Sequence, residues 1–492
     1  MQKVFTCANA AQLEKLAKEA FSLPPFLMME NAAGAMADFL ENAGNTGKTS
    51  SILIVCGKGN NGGDGYALAR LLQDKMKVTL AALEVPAAEE AKVQCEICRR
   101  LGVEILSPSD TPDFETDFQK LCQTLTTDDF IADCIYGTGF HGSLSPDMQK
   151  IIDLMNKSPA QKLACDIPSA LEFSADYTIT MGCQKLALYS DKAKAVSGQI
   201  MVADLGIARE KFEGFSKTDL YLIEAADREL PLRKNRALHK GKLGHTAVLC
   251  GDKAGAAILA ASAAMNFGSG LTSLVKTSAS NLEQFKLSPS LMISDSIPKK
   301  ASCLLAGSGF SDFSEEAASL LINWFKAVKS PAVLLDAGMI TSSESPALLE
   351  TLNSFEDARI VLTPHLSELS RLLEACKAEG DISVAALAEN PDAKVAAGKF
   401  LTERFPHTTV IMKSANTFIA SSGETYIIAD GAQPLAKGGS GDLLAGMTAS
   451  LLAQGYTASQ AAITAAEHHA LLSQKLGREA YNLTPEKFIN EL

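Results

Sequence analysis

The stretch SILIVCGKGNNGGDGYALAR, residues 51–70, decides the fold. A short apolar run, SILIVC, passes directly into GKGNNGGDG, which holds five glycines in nine positions. Such a run bounded by glycine reads as a buried strand, and the ALAR that follows reads as the start of a helix. GKGNNG (57–62) satisfies G-x-G-x-x-G between a strand and a helix, the fingerprint of a doubly wound nucleotide-binding sheet. A tight strand-to-helix turn accounts for one or two glycines, not five. Glycine lets the main chain approach a ligand and adopt positive φ, and the helix N-terminus beyond it attracts phosphate. Asn60, Asn61 and Asp64 stay as directed hydrogen-bonding groups, so the segment reads as a binding loop. Glu84, near the end of the next strand, is placed to serve a ribose.

The alternation continues outward. KVTLAAL (77–83), FIADC (130–134), KLACD (162–166) and YTIT (177–180) are further strand candidates. Helices are predicted over 64–73, 88–101, 113–125 and 147–156, after two over 9–41 broken at Pro24-Pro25. Residues 205–238 are mixed in charge and poorly periodic. Beyond them HTAVLCG (245–251), LTSLV (271–275), CLLAG (303–307), AVLLD (332–336), RIVLT (359–363) and TVIMK (409–413) read as strands. Helices are predicted between them over 254–267, 313–328 and 440–453. Alternating strands and helices predict parallel sheets covered on both faces. At 492 residues the chain is too long for one core, so two tandem α/β domains are expected, over 1–215 and 225–492.

Composition narrows the partners. Lys and Arg number 45 against 57 Asp and Glu, a net charge of −12 with no dense basic cluster. That argues against nucleic acid, whose binding rests on neutralising phosphates. No run approaches a membrane span, and the N-terminus has no signal-peptide core, so no membrane partner is expected. Eleven cysteines without disulfide spacing, several in strand-like runs, point to a reducing compartment, the cytoplasm. Cys95 and Cys98 form a lone C-x-x-C that reads as a helix face, since one pair cannot complete a zinc site. GNTGKTS (44–50) lacks phosphate-loop spacing and precedes a strand, so it reads as a linker. A homo-oligomer is expected.

IADCIYGTGFHG (131–142) and ACDIPSALEF (164–173) share one layout: a strand, an aspartate near its carboxyl end, then small residues. One such aspartate is most simply a helix cap. Three of them shift the reading to a crevice at the carboxyl edge shared by Asp64, Asp133, Gly137, Gly139 and Asp166. Hard oxygen ligands such as Asn61, Asp133 and Ser169 suit an alkali or other hard cation.

The second glycine loop lies in GAQPLAKGGSGDLLAGMTASLLAQG (431–455). Gly438, Gly439, Ser440 and Gly441 precede Asp442 at the start of an apolar helix. Unpaired amides there form an anion hole. Asp442 could simply complement the helix dipole. Phosphoryl transfer to an alcohol, however, requires a carboxylate beside such a hole, and that reading is preferred.

GNNGGDGYALAR, DCIYGTG and DIPS, over roughly residues 1 to 210, resemble the epimerase half of the bifunctional NAD(P)H-hydrate repair enzymes. HKGKLGHTAVLCG, GAAILAASAA, LTPHLSELSRLL, VIMKSANT and the GGSGD loop, from about 225 to 492, resemble their dehydratase half. The resemblance implies a Rossmann-like first domain that interconverts R and S hydrates of NADH and NADPH. It implies a ribokinase-like second domain that spends ADP or ATP, with Mg2+, to phosphorylate the S-hydrate and expel phosphate. Carried over by motif, Asn60, Asn61, Gly62, Gly63, Asp64, Gly137, Thr138, Gly139, Phe140, His141, Gly142, Ser143 and Asp166 would contact the hydrate in the epimerase. Asn61, Asp133 and Ser169 would hold K+, and Asp166 would be the acid–base catalyst; Lys185 is read first as a surface lysine. In the dehydratase, Asp442 would be the base, and Ala256, Gly309 and His365 would contact the hydrate. Lys413, Ser414, Ala415, Asn416, Thr417, Gly438, Gly439, Ser440 and Gly441 would contact the nucleotide.

His365 alternatively starts a helix, His468 and His469 read as packing or surface residues, and Glu368 and Lys240 as solvated charges. The chain has DIPSA where the family usually has a glycine after DIPS. It has GSGF, DAG, PHLSE and MKS where the family tends to show GPGLG, DAD, PHPGE and LKG. The competing reading is a ribokinase-like small-alcohol kinase fused to a non-catalytic nucleotide-binding domain.

Overall fold

The computed structural model describes residues 1–43, 50–477 and 480–492, so the linker reading at 44–50 falls, but for Ser50, outside the described residues. The chain forms two compact units, Lys3–Thr218 and Asp219–Leu492, the second joined by Met1 and Gln2.

In the first unit seven parallel strands stand in the order Glu104–Leu106, Lys77–Ala82, Ser51–Cys56, Phe130–Cys134, Gln161–Cys165, Tyr177–Met181, Gln199–Ala203. The central strands are buried on both faces, which explains their continuous apolar runs. Along Ser51–Cys56 the side chains alternate between two cores. Ile52, Ile54 and Cys56 pack with helices Cys7–Phe21, Pro25–Ala43 and Asn60–Leu72. Leu53 and Val55 pack with helices Phe114–Thr124 and Pro146–Lys157. Three layers result. The winding reverses between Ser51–Cys56 and Phe130–Cys134, so the loops leaving their carboxyl ends part and open a crevice. Both segments singled out in the sequence, 57–65 and 135–143, leave from those two ends.

The second unit repeats the plan. Its parallel strands run Met292–Ser294, Leu271–Lys276, His245–Cys250, Cys303–Ala306, Ala332–Leu335, Arg359–Leu362, Thr408–Met412. An antiparallel pair, Thr417–Ser421 and Glu424–Ile428, extends the sheet, and Leu220–Leu222 lies parallel to the latter. The switch point falls between His245–Cys250 and Cys303–Ala306. Helix Ser440–Ala453 is buried along most of its length. It crosses helix Ala254–Asn266 so closely that a Cβ on Gly446 would lie 2.0 Å from the Ala260 carbonyl oxygen. Among the described residues no helix is long and apolar enough to cross a membrane.

Candidate active sites

The first glycine segment is mostly helix. Helix Asn60–Leu72 begins four residues before the predicted start, with Gly59 as N-cap and no side-chain cap. Glycine is a poor helix former, so packing decides here. A Cβ on Gly62 would lie 1.9 Å from the Gly57 carbonyl oxygen; one on Gly65 would lie 2.7 Å from the side chains of Cys56 and Cys134. None of the five glycines has positive φ, contrary to the sequence reading. Only Gly59 has open space around it. The glycines therefore bring the helix N-terminus, whose first amides lack intrahelical acceptors, down onto the switch point.

A cavity of about 680 Å³ opens there. Asn60, Asn61, Asp64, residues 137–141 and Asp166 line it, whereas Gly62, Gly63, Gly142 and Ser143 do not. Asp166 follows strand Gln161–Cys165 at φ 72°, a left-handed conformation that turns its carboxylate back over the sheet. Its oxygens accept from the amides of Thr138 (3.1 Å) and Met181 (3.2 Å) and from Thr180 Oγ1 (3.2 Å). The decisive partner is Lys185, whose Nζ donates at 2.5 Å. Lys185 also donates to Thr180 Oγ1 and the Met181 carbonyl, and it is only 1% exposed. The surface reading of Lys185 is therefore overturned: Val4 and Phe5 pair in parallel with Gln184 and Lys185 and cover it. Burial works against the Asp166 anion, but the Lys185 ammonium and two amides outweigh it and hold the carboxyl below its ordinary range. Asp64, 9% exposed, lies the other way. Burial first, then the charges of Asp166 and Glu14, push it well above that range.

Asp133 lies beneath the cavity, fully buried. It accepts from Ser169 Oγ (2.6 Å), the Ser169 amide (2.7 Å) and the Ile135 amide (3.1 Å). Burial, only partly offset by these donors, raises it to about 6. Asn61 bonds to neither. A Cβ on Gly137 would lie 3.1 Å from its Oδ1 and 2.9 Å from Asp166 Oδ2, and its Nδ2 is buried without an acceptor. Glu84 pairs with Lys58 at 3.0 Å. Cys95 and Cys98 occupy the buried face of helix Glu89–Arg100, as expected.

In the second unit Gly439, at φ 93°, caps helix Ser440–Ala453, placing Asp442 in its first turn. Around Asp442 gather Asp336, Lys413, Ser308 and Glu368, from the carboxyl ends of neighbouring strands. Asp336, 4% exposed, accepts from Ser308 Oγ (2.9 Å), Thr363 Oγ1 (2.7 Å) and Lys413 Nζ (3.4 Å). The same ammonium lies 3.1 Å from where a Cβ of Gly441 would stand, so Asp336 aims Lys413 at the glycine loop. Burial, then the Asp336 charge, raises Asp442 to about 6 against the pull of Lys413. Gly309, at φ 82°, abuts Ala256. His365 caps helix Leu366–Ala375 in a reciprocal box with Glu368, so Glu368 is buried rather than solvated. His469 packs on Phe488 at 4.9 Å, while its Nε2 lies 3.4 Å from Ser440 Oγ.

Comparison with known proteins shows the family. A family model described as NAD(P)H-hydrate dehydratase matches residues 246–492. Another, described as YjeF-related protein N-terminus, matches 26–187. A bifunctional NAD(P)H-hydrate repair enzyme of Helicobacter pylori is 34% identical over 502 residues, spanning 100% of this chain and 99% of that protein. The chain belongs to the bifunctional NAD(P)H-hydrate repair enzyme family. The repair enzyme of Moorella thermoacetica is 30% identical over 75% of this chain and 74% of its own. A solved ADP/ATP-dependent NAD(P)H-hydrate dehydratase from Bacillus subtilis, co-crystallised with ATP/Mg2+, is 21% identical. It covers 52% of this chain and 90% of its own, with a TM-score of 0.43.

As a repair-family member the chain makes its departures locally consistent. A Cβ on Gly338 would lie 2.6 Å from the Phe310 carbonyl oxygen, so an aspartate has no room in DAG. Ser414 accepts from the buried Lys394 ammonium (2.6 Å) and donates to the Asn416 carbonyl (2.7 Å), bracing its loop. Ala170 is less comfortable. It sits at φ 55°, with Leu171 at φ 54°, where the family's glycine would be unstrained. A left-handed alanine costs about 1–2 kcal/mol, and glycine loses about 0.5–1 kcal/mol more entropy on folding. Ala170→Gly is therefore expected to stabilise the protein by about 0.5–1 kcal/mol, read as a higher urea midpoint. Two residues of the sites escaped the sequence reading. Asp336 repeats the strand-end layout of Asp133 in AVLLD and was legible; Glu14, on helix Cys7–Phe21, belongs to no motif.

Proposed function

We propose that the first unit epimerises the R and S hydrates of NADH and NADPH and that the second dehydrates the S-hydrate with ADP or ATP. The carrying observation is that each sheet sets a helix N-terminus and a carboxylate together at the carboxyl ends of its strands. In the first unit, the amides of Asn60 and Asn61 and residues 137–141 hold the hydrate, and the ionised Asp166 accepts a proton from the water that adds back at C6. C6 is bonded to the ring nitrogen, whose lone pair stabilises the carbon once water departs, so its configuration is open to exchange.

In the second unit, Asp442 takes the proton of the C6 hydroxyl as that oxygen bonds to the terminal phosphorus and the nucleotide's bridging oxygen leaves. Amides of Gly438, Gly439 and Gly441 and the hydroxyl of Ser440 face the phosphoryl oxygens, with Lys413 adding positive charge. Ser414, Ala415, Asn416 and Thr417 line the nucleotide, while Ala256, Gly309 and His365 contact the hydrate. Phosphate then departs from C6, C5 gives up a proton, and the C5–C6 double bond restores the dihydronicotinamide ring. A phosphate leaves where hydroxide would not.

The buried carboxylate of Asp133 and hydroxyl of Ser169, with Asn61, are hard oxygen donors that would hold K+, which would supply positive charge to the hydrate site. Mg2+ would arrive with the nucleotide and neutralise phosphoryl charge. Eleven cysteines outside any disulfide, ten of them buried, support a reducing, cytoplasmic setting.

The test supplies a mixture of NADH hydrate epimers, ATP or ADP, and Mg2+, and follows NADH absorbance. Full recovery is expected. Failure to recover the S form overturns the dehydratase half. Recovery of S with R left at its spontaneous rate overturns the epimerase half.

A further inference from the structure

Helix Cys7–Phe21 presents one polar side chain, Glu14, to the cavity that holds Asp64 and Asp166. The helix packs through Ala10, Leu13 and Ala17, and Glu14 stands half-buried beside that stripe. Among the described residues no hydrogen bond or ion pair engages its carboxyl. An apolar cavity wall, formed nearby by Met28 and Met29, has no structural need of such a group.

The epimerase reading above, on which this inference rests, creates a need for it. When water leaves C6, the C6–O bond breaks with its electron pair going to oxygen, and an acid supplies the second proton of that water. When water returns to the opposite face, a C6–O bond forms and a base removes one proton. Reversal exchanges the two roles. One carbon must therefore meet two groups of opposite protonation. Asp166, paired with Lys185, is the proton acceptor. Asp64 is more than nine-tenths buried, and among the described residues its one side-chain hydrogen-bond partner is Cys165 Sγ at 3.9 Å.

We propose that Glu14 is a further catalytic residue of this cavity: with Asp64 it holds the proton that Asp166 lacks and passes it to the departing C6 hydroxyl. Burial followed by the Asp166 charge raises Glu14, although Lys185 pulls it down, so both members of this pair favour the neutral form.

Wild-type full chain, Glu14→Gln and Glu14→Asp are to be given purified R-hydrate without nucleotide, and the epimers separated by chromatography. Glu14→Gln is expected to lower kcat at least about 100-fold at unchanged KM, with Glu14→Asp recovering part of it. Dehydration of S-hydrate by both variants should match wild type. A Glu14→Gln kcat within about threefold of wild type, or a rise confined to KM, overturns the proposal. Wild-type protein that fails to speed R-to-S exchange overturns the epimerase reading itself.

Discussion

Replacing Lys185 by methionine is expected to destabilise the first unit by about 3–5 kcal/mol at neutral pH, because it strands a buried carboxylate. Asp166 would keep its two amides and Thr180 but lose the only cation within bonding distance among the described residues. Amide exchange of strand Gln161–Cys165 in the full chain measures the loss, since that strand carries the Asp166 turn. The pH dependence distinguishes this cause from a packing defect. In the wild type, Asp166 lies below its ordinary value, so its contribution is present above about pH 4 and lost as pH falls through the lower folded value. Burial opposes the Lys185 charge, yet Asp166 leaves it raised. Its contribution is thus full below about pH 10 and lost as pH rises through the folded value. Between those limits the Asp166–Lys185 pair itself adds no pH dependence. In the variant, burial outweighs the remaining amides and Thr180 and lifts Asp166 above its unfolded value, so stability relative to the wild type should rise as pH falls from 8 to 5. A loss that is equal at both pH values would contradict the ion-pair account. Adding Asp166→Asn to the variant should restore most of the stability and none of the epimerase activity.

That pair also marks where the sequence stops being legible. Central strands such as Ser51–Cys56 and His245–Cys250 declare themselves because both faces are buried. Glu104–Leu106 and Gln199–Ala203 escape because, at the sheet edges, only one of their eight residues is fully buried. Helix Ala458–Lys475 carries a readable start, Thr457 with Gln460 in a reciprocal cap, whereas helix Asn60–Leu72 begins in glycines that propensity excludes. Asp166 was visible from its place after a strand. Lys185 was not, since only the pairing of Val4 and Phe5 with Gln184 and Lys185 buries an amine that its neighbours in sequence would leave in water. Glycines mislead in the opposite way: four of the five at 57–65 serve close packing around the site rather than direct contact with what it binds.

Asp442→Asn is expected to lower dehydratase kcat by about 10³-fold or more while leaving nucleotide affinity within a few fold, because the amide keeps the shape but cannot take a proton. Single-turnover NADH formation from S-hydrate, alongside nucleotide titration, reads both quantities. The same carboxyl sets the pH profile. Burial and the Asp336 charge place it at about 6, so wild-type kcat/KM should fall tenfold for each pH unit below 6 and level off above it. Asp336→Asn removes a like charge and should move that limb to lower pH. Lys413→Met removes an opposing charge and should move it to higher pH. Opposite displacements from two residues that bond to each other at 3.4 Å cannot arise from a shared loss of structure. If both variants moved the limb the same way, or neither moved it, Asp442 would not be the titrating base and the phosphoryl-transfer scheme would need another proton acceptor.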